Sequence, residues 1–110
     1  MRFFVKNSER EGTCYHEFYS GEWDGKSFWK EDSLYLHDDV LDKNVSFENV
    51  LRKVISFDPL GETKVSKENW EEIGRIIPQD DISSLELYRE ADLWAKEVFK
   101  LYDYFTIIGV

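Results

Sequence analysis

The stretch from Ser83 to Asp103 dictates most of what this chain can become. Leu87, Ala91, Trp94, Val98, Leu101 and Phe105 step by four and three, the spacing that lines apolar side chains along one side of a helix. Tyr88, Ala95, Phe99 and Tyr102 widen the stripe into a face, and Asp92 with Lys96 adds a supporting pair four residues apart. So wide a face suits packing on a sheet better than the narrow seam of a coiled coil. Trp94, in the middle of the stripe, is expected to be buried. A one-faced helix needs a second layer, so the remainder of the chain must supply it.

The first third supplies it as strands. Phe3, Phe4 and Val5 favour a short covered strand. The segments 14–23 and 26–31 flank Asp24-Gly25, a pair that tolerates the positive φ angles of a type I′ hairpin turn. Ser33 to His37 alternates, with Leu34 and Leu36 on one face and Tyr35 on the other, as a third hairpin strand or a continuation of the second. Asp38 to Asp42 reads as a short helix or a loop. Phe47, Val50, Leu51, Val54 and Ile55 predict a helix over 46–56 with Ser46 as its N-cap. Asp58-Pro59-Leu60-Gly61 suits a type I turn. Ser66 caps a further helix, stapled by Val65 and Trp70 and stopped by Pro78. The β-rich tail from Phe105 to Val110 belongs in the sheet, because an exposed run of this kind aggregates. The expectation is one α+β domain spanning 1–110. A small antiparallel sheet is built from the N-terminal strand, the Asp24-Gly25 hairpin and the C-terminal strand, with about three helices packed on one face.

With 4 Trp, 6 Tyr and 8 Phe in 110 residues, core volume is plentiful and no staple is needed. Cys14 is the only cysteine, so no internal disulfide forms. The apolar run in Met1 to Lys6 is too short for a signal peptide, and no run approaches a membrane span, so a cytoplasmic location and no membrane partner are expected. The 23 acidic residues outnumber 14 basic ones, a formal charge of −9. Lysines and arginines stand singly apart from Arg52-Lys53, which disfavours nucleic acid and favours a basic protein partner. Surplus acid also serves solubility alone.

Three constellations bear on chemistry. Cys14 and His16 sit two apart and face one side of a strand, but a nucleophile needs a nearby base and zinc needs further ligands. His37, Asp38, Asp39 and Asp42 are residue types that hold a cation or share a proton, yet their spacing matches no calcium loop, and acids after a strand complement a helix N-terminus. Phosphate-loop, dinucleotide, zinc-protease and nucleophile-elbow motifs are absent. No catalytic residue, metal or cofactor is therefore expected. The third constellation spans 17–42, where Phe18, Tyr19, Trp23, Phe28, Trp29 and Tyr35 interleave with eight acids and only Lys26 and Lys30. A hairpin alternates its faces, so some rings point away from the core unless a helix or loop covers them. Trp23 beside the turn is the expected anchor for a partner, with Asp24, Asp38, Asp39 and Asp42 as the surrounding acids.

The runs Glu22 to Trp29, Leu34 to Asp39 and Lys64 to Trp70 give the chain a style similar to the immunity proteins of bacterial polymorphic toxin systems, which are short, acidic, cytoplasmic and rich in Trp and Tyr. That resemblance implies a class, toxin neutralisation, and no particular toxin. The expected function is accordingly an acidic protein-binding domain that occludes a basic toxin such as a nuclease. The alternatives are a regulatory or adaptor domain that binds a peptide or self-associates through its aromatic hairpin, and a small hydrolase using His37 and its neighbouring Asp residues. Monomer and homodimer both remain open.

Overall fold

The computed structural model describes all residues from Met1 to Val110. In chain order it contains β1 (Phe4–Val5), a 3-10 turn (Asn7–Glu9), β2 (Tyr15–Ser20), β3 (Leu34–His37), α1 (Asp38–Lys43), α2 (Val45–Ile55), β4 (Glu62–Ser66), α3 (Lys67–Ile76), α4 (Ile82–Val98) and β5 (Tyr104–Ile108). The strands form one sheet in the order β1-β3-β2-β5-β4, and every neighbouring pair is antiparallel. The α+β architecture is as the sequence predicts, with four α-helices where three were expected.

One face of the sheet carries the core. Phe18 stacks on Phe105 with ring centroids 5.6 Å apart, and Phe4, Trp70 and Trp94 meet these two rings edge-on. Leu87, Ala91, Ala95 and Val98 of α4, Phe47 and Leu51 of α2, and Ile73 of α3 are buried in the same cluster. Period two does the sorting: residues 4, 16, 18, 34, 36, 105 and 107 pair across the register on this face.

Local signals hold where a side chain has one clear task. Ser66 accepts from the Asn69 N–H and starts α3, with Val65 and Trp70 both buried behind it. Asp81, with its carboxyl held below the usual range chiefly by the Ser84 N–H, caps α4. Ser46 is not a cap: α1 runs into α2 at Asn44, which occupies the cap position and leaves Ser46 inside α2.

The hairpin expectation fails. β2 stops at Ser20 and β3 starts at Leu34, so 26–31 is not a strand and Asp24-Gly25 lies inside a long loop. Gly25 does take a positive φ of 80°, but the turn is closed by side chains. The Asp24 carboxylate accepts from the N–H groups of Lys26 and Ser27 and from the Ser27 hydroxyl, and the Trp23 indole donates to the Ser27 carbonyl. Such local bonds offer the backbone a partner other than a ladder, and here they win.

The long helix also ends early. After Val98 the bonding tightens, with Leu101 N–H donating to the Val98 carbonyl, and the chain turns into β5. Trp94 is only partly buried, and its indole N–H donates to the Asp32 carbonyl at 2.8 Å. An indole has a donor to satisfy, which holds it at the rim of the core.

The opposite sheet face is not left bare, because the 21–33 loop folds back over it. Tyr35, Glu17 and Thr106 on this face are buried, the Trp29 ring lies 5.8 Å from Tyr35, and the Arg10 guanidinium sits 3.7 Å above Trp29. Burial, reinforced by the Glu17 charge, pushes the Tyr35 phenol up from its ordinary value. Burial does the same to Tyr88, with Asp92 and Glu71 adding to it. The folded state therefore keeps both protons where the unfolded chain, ionising at about pH 10, releases them. This stabilisation is complete below that pH and lost as pH rises beyond it. Thermal midpoints should hold level to about pH 10 and then fall, with two of the six phenols ionising only as the protein unfolds; ionisation of all six in the intact fold would contradict the assignment.

Candidate functional site

The sequence-predicted partner residues do not gather into one cluster. Tyr15 pairs with His37 at one end of the β2–β3 ladder and Phe18 with Leu34 at the other. Asp38, Asp39 and Asp42 lie in α1, beyond the first end, while the loop carrying Trp23 and Asp24 leaves from the second. No hydrogen bond or ion pair joins the two groups.

Each of these residues has a local occupation. Trp23 is half-buried and tilted against Phe28 at 5.3 Å, and Phe28 is the more exposed ring at 51%. The Ser27 and Lys26 N–H groups hold the Asp24 carboxyl at about 2. Its charge is therefore permanent at neutral pH but already engaged in the turn. Asp38 and Asp39 open α1 in the first turn, where acids complement the helix dipole. His37 is the N-cap itself, its Nδ1 accepting from the Asp39 N–H at 3.0 Å. His16 is fully buried and bonds through Nε2 to Asp38 at 2.8 Å, whereas Cys14, outside β2, is exposed. Cys14 and His16 thus occupy different environments, and no group of three or more His, Cys, Asp or Glu side chains assembles with metal-binding geometry.

Sequence reasoning missed a surface at the end of α4. It placed Leu101 and Tyr102 on the buried helical stripe, but the early end of α4 turns them outward, 79% and 44% exposed. They form a ridge between two clefts. One, of about 510 Å³, is walled by Tyr19, Tyr104, Glu22 and Lys30; the other, of about 260 Å³, by Trp94, Asp32 and Glu97. Gly21 fixes the ridge in place. Its φ is +72°, and a Cβ there would come within 2.7 Å of the Tyr102 ring, so only glycine lets that ring lie flat on the backbone.

The charge around the ridge is mixed, with Glu22, Asp32, Glu97 and Asp103 set against Lys6, Lys30 and Lys100. The Lys30 ammonium in the larger cleft is engaged by the Ser20 hydroxyl at 2.7 Å and by the Tyr19 ring at 4.5 Å. Lys100 at the ridge is paired with Glu97 at 2.8 Å. Exposed apolar and aromatic side chains on a protein of formal charge −9 suit recognition of a protein with a basic surface. No local signal marked it, because Lys100 and Asp103 continue the polar side of the helix that Asp92 and Lys96 begin.

A third cleft, of about 170 Å³, opens on the outer sheet face beside Phe28, Trp29, Tyr15 and Ile108. Trp29 adopts a left-handed φ of 64°, unusual for so bulky a residue. What fixes it is Glu17. This buried carboxylate accepts from the Trp29 N–H at 2.8 Å, the Lys30 N–H at 3.1 Å and the Ser33 hydroxyl at 2.6 Å. Tyr35 is also near, at 3.3 Å, but its single proton points to the Lys30 carbonyl at 2.6 Å.

No helix of the protein is long and apolar enough to cross a membrane. No family model, curated protein or solved structure matches the chain. The protein belongs to a class of fold, an α+β domain with a five-stranded antiparallel sheet.

Proposed function

We propose that the protein is a cytoplasmic partner-binding domain of the immunity type, which neutralises a basic toxin by covering its working surface. The observation that carries this reading is the Leu101–Tyr102 ridge, exposed between two clefts on a chain of formal charge −9, with Glu22, Asp32, Glu97 and Asp103 beside it among Lys6, Lys30 and Lys100. A toxin that cleaves nucleic acid must present positive charge to phosphate, and an acidic surface competes for that charge. The apolar ridge supplies the close contact that charge alone does not give. Hydrolysis through His37 is less well supported, since its Nδ1 is already committed to capping α1 and Asp38 is bound to His16.

The test is co-production with the protein encoded by the adjacent gene. The expected result is a basic neighbour that halts growth alone, growth restored when both are made, and a stable complex of the two. A neighbour that is harmless, or whose toxicity this protein leaves unchanged, would overturn the reading.

A further inference from the structure

We infer that the free edge of β4 pairs with the β4 edge of a second copy of this chain, in one register selected by charge. The two edges of the sheet are treated very differently by the fold. At the β1 edge, the Glu90 carboxylate reaches over from α4 and accepts from the N–H groups of Arg2, Phe3 and Phe4. No side chain does this for β4. Its inner side is fixed by the ladder to β5: Gly109 N–H donates to the Gly61 carbonyl, in the same register that pairs Thr63 with Ile107 and Val65 with Phe105. Bonding groups in an antiparallel ladder alternate sides, so Gly61, Thr63 and Val65 turn theirs toward β5. Glu62 and Lys64 turn both N–H and C=O outward, and both residues are exposed.

Two kinds of antiparallel register between two such edges bring the outward groups together. One sets Lys64, or Glu62, opposite its own copy and puts like charges face to face. The other sets Thr63 opposite Thr63 and brings Glu62 opposite Lys64 twice, once on each side of the two-fold axis. Directly opposed charges of opposite sign stabilise a strand pair, and like charges destabilise it. The second register is therefore selected. Its Glu62–Lys64 pairs exchange backbone bonds as well as charge. A lone edge lysine is a common device against such pairing, but a glutamate two residues away on the same face converts it into a self-complementary pattern. The overall charge of −9 on each copy opposes association. Yet screening over about 8 Å at physiological salt removes most of that long-range repulsion, and opposed strand side chains sit closer than this, at about 5 Å between Cβ atoms. This surface lies on β4 and stands independently of the ridge.

Sedimentation of the full chain over a wide concentration series, at physiological salt, should show a reversible monomer–dimer equilibrium. The amide protons of Glu62 and Lys64 should gain exchange protection as the dimer forms, and that of Ser66 should not. Lys64→Glu, which sets two carboxylates opposite each other, should weaken dimerisation about tenfold or more. The double change Glu62→Lys with Lys64→Glu restores opposite charges and should restore dimerisation. Both sites are exposed, so circular dichroism should show the native fold in every variant. A strictly monomeric protein, a dimer indifferent to Lys64→Glu, or a folded double variant that stays monomeric would overturn the inference.

Discussion

Replacing Glu17 with alanine should lower stability by about 3–5 kcal/mol, a large fraction of what holds a domain of this size together. Glu17 is 2% exposed, and its carboxylate is the common acceptor for the Trp29 N–H, the Lys30 N–H and the Ser33 hydroxyl. Removing it orphans all of these at once. A buried donor without a partner costs about 1–3 kcal/mol, and water entering the neighbouring cleft offsets part of the total. The loss then spreads, because Trp29 keeps its left-handed backbone only while those bonds hold. Its indole covers Tyr35 and is itself covered by Arg10. Glu17→Gln keeps the shape and one acceptor oxygen, so it should cost clearly less than alanine. Urea unfolding with Trp fluorescence measures both. Equal, small losses for the two variants would show that Glu17 does not organise the loop.

Glu17 also shows why part of the fold was legible in the sequence and part was not. Elements whose signal is local were read correctly: the Ser66 cap, the Pro78 stop, the alternation of Leu34, Tyr35 and Leu36, and the stripe through Leu87, Ala91 and Val98. The 21–33 loop is decided by a residue outside it. Asp24-Gly25 is a valid turn signal, yet Glu17 draws residues 29, 30 and 33 onto the sheet face and removes the second strand the turn was meant to serve. Nothing in the chain from 24 to 31 announces that. The end of α4 is similar. Leu101 continues the apolar period perfectly, but Phe105 at the next step is needed in β5 beside Phe18, and the chain must unwind to deliver it. A tertiary demand overrode a local period, and the side chain it released became the ridge.

That release sets up the largest expected functional effect. Leu101→Ala should leave the thermal midpoint nearly unchanged, because a side chain 79% exposed leaves no cavity when it is cut back. If the ridge is the anchor, Leu101→Ala with Tyr102→Ala should weaken binding to the neutralised partner about thirtyfold or more, the equivalent of a hot spot of about 2 kcal/mol. The loss should fall mainly on the dissociation rate, since apolar contacts act only once the surfaces meet. Charge should behave in the opposite way. Neutralising Glu22, Asp32, Glu97 and Asp103 to their amides should slow association and flatten its salt dependence, because rim acids act through a field that salt screens over about 8 Å. Neutralising Asp38, Asp39 and Asp42 should slow it less, since those acids sit in α1, away from the ridge. Trp23→Ala separates the two surfaces further: its half-buried ring packs on Phe28 within the loop, so its loss should lower the melting temperature more than the affinity. Binding kinetics and melts on this set assign the interface without ambiguity. Unchanged dissociation for the Leu101 and Tyr102 pair, with a large loss for the α1 acids or for Trp23, would move the interface away from the ridge and onto the 17–42 surface.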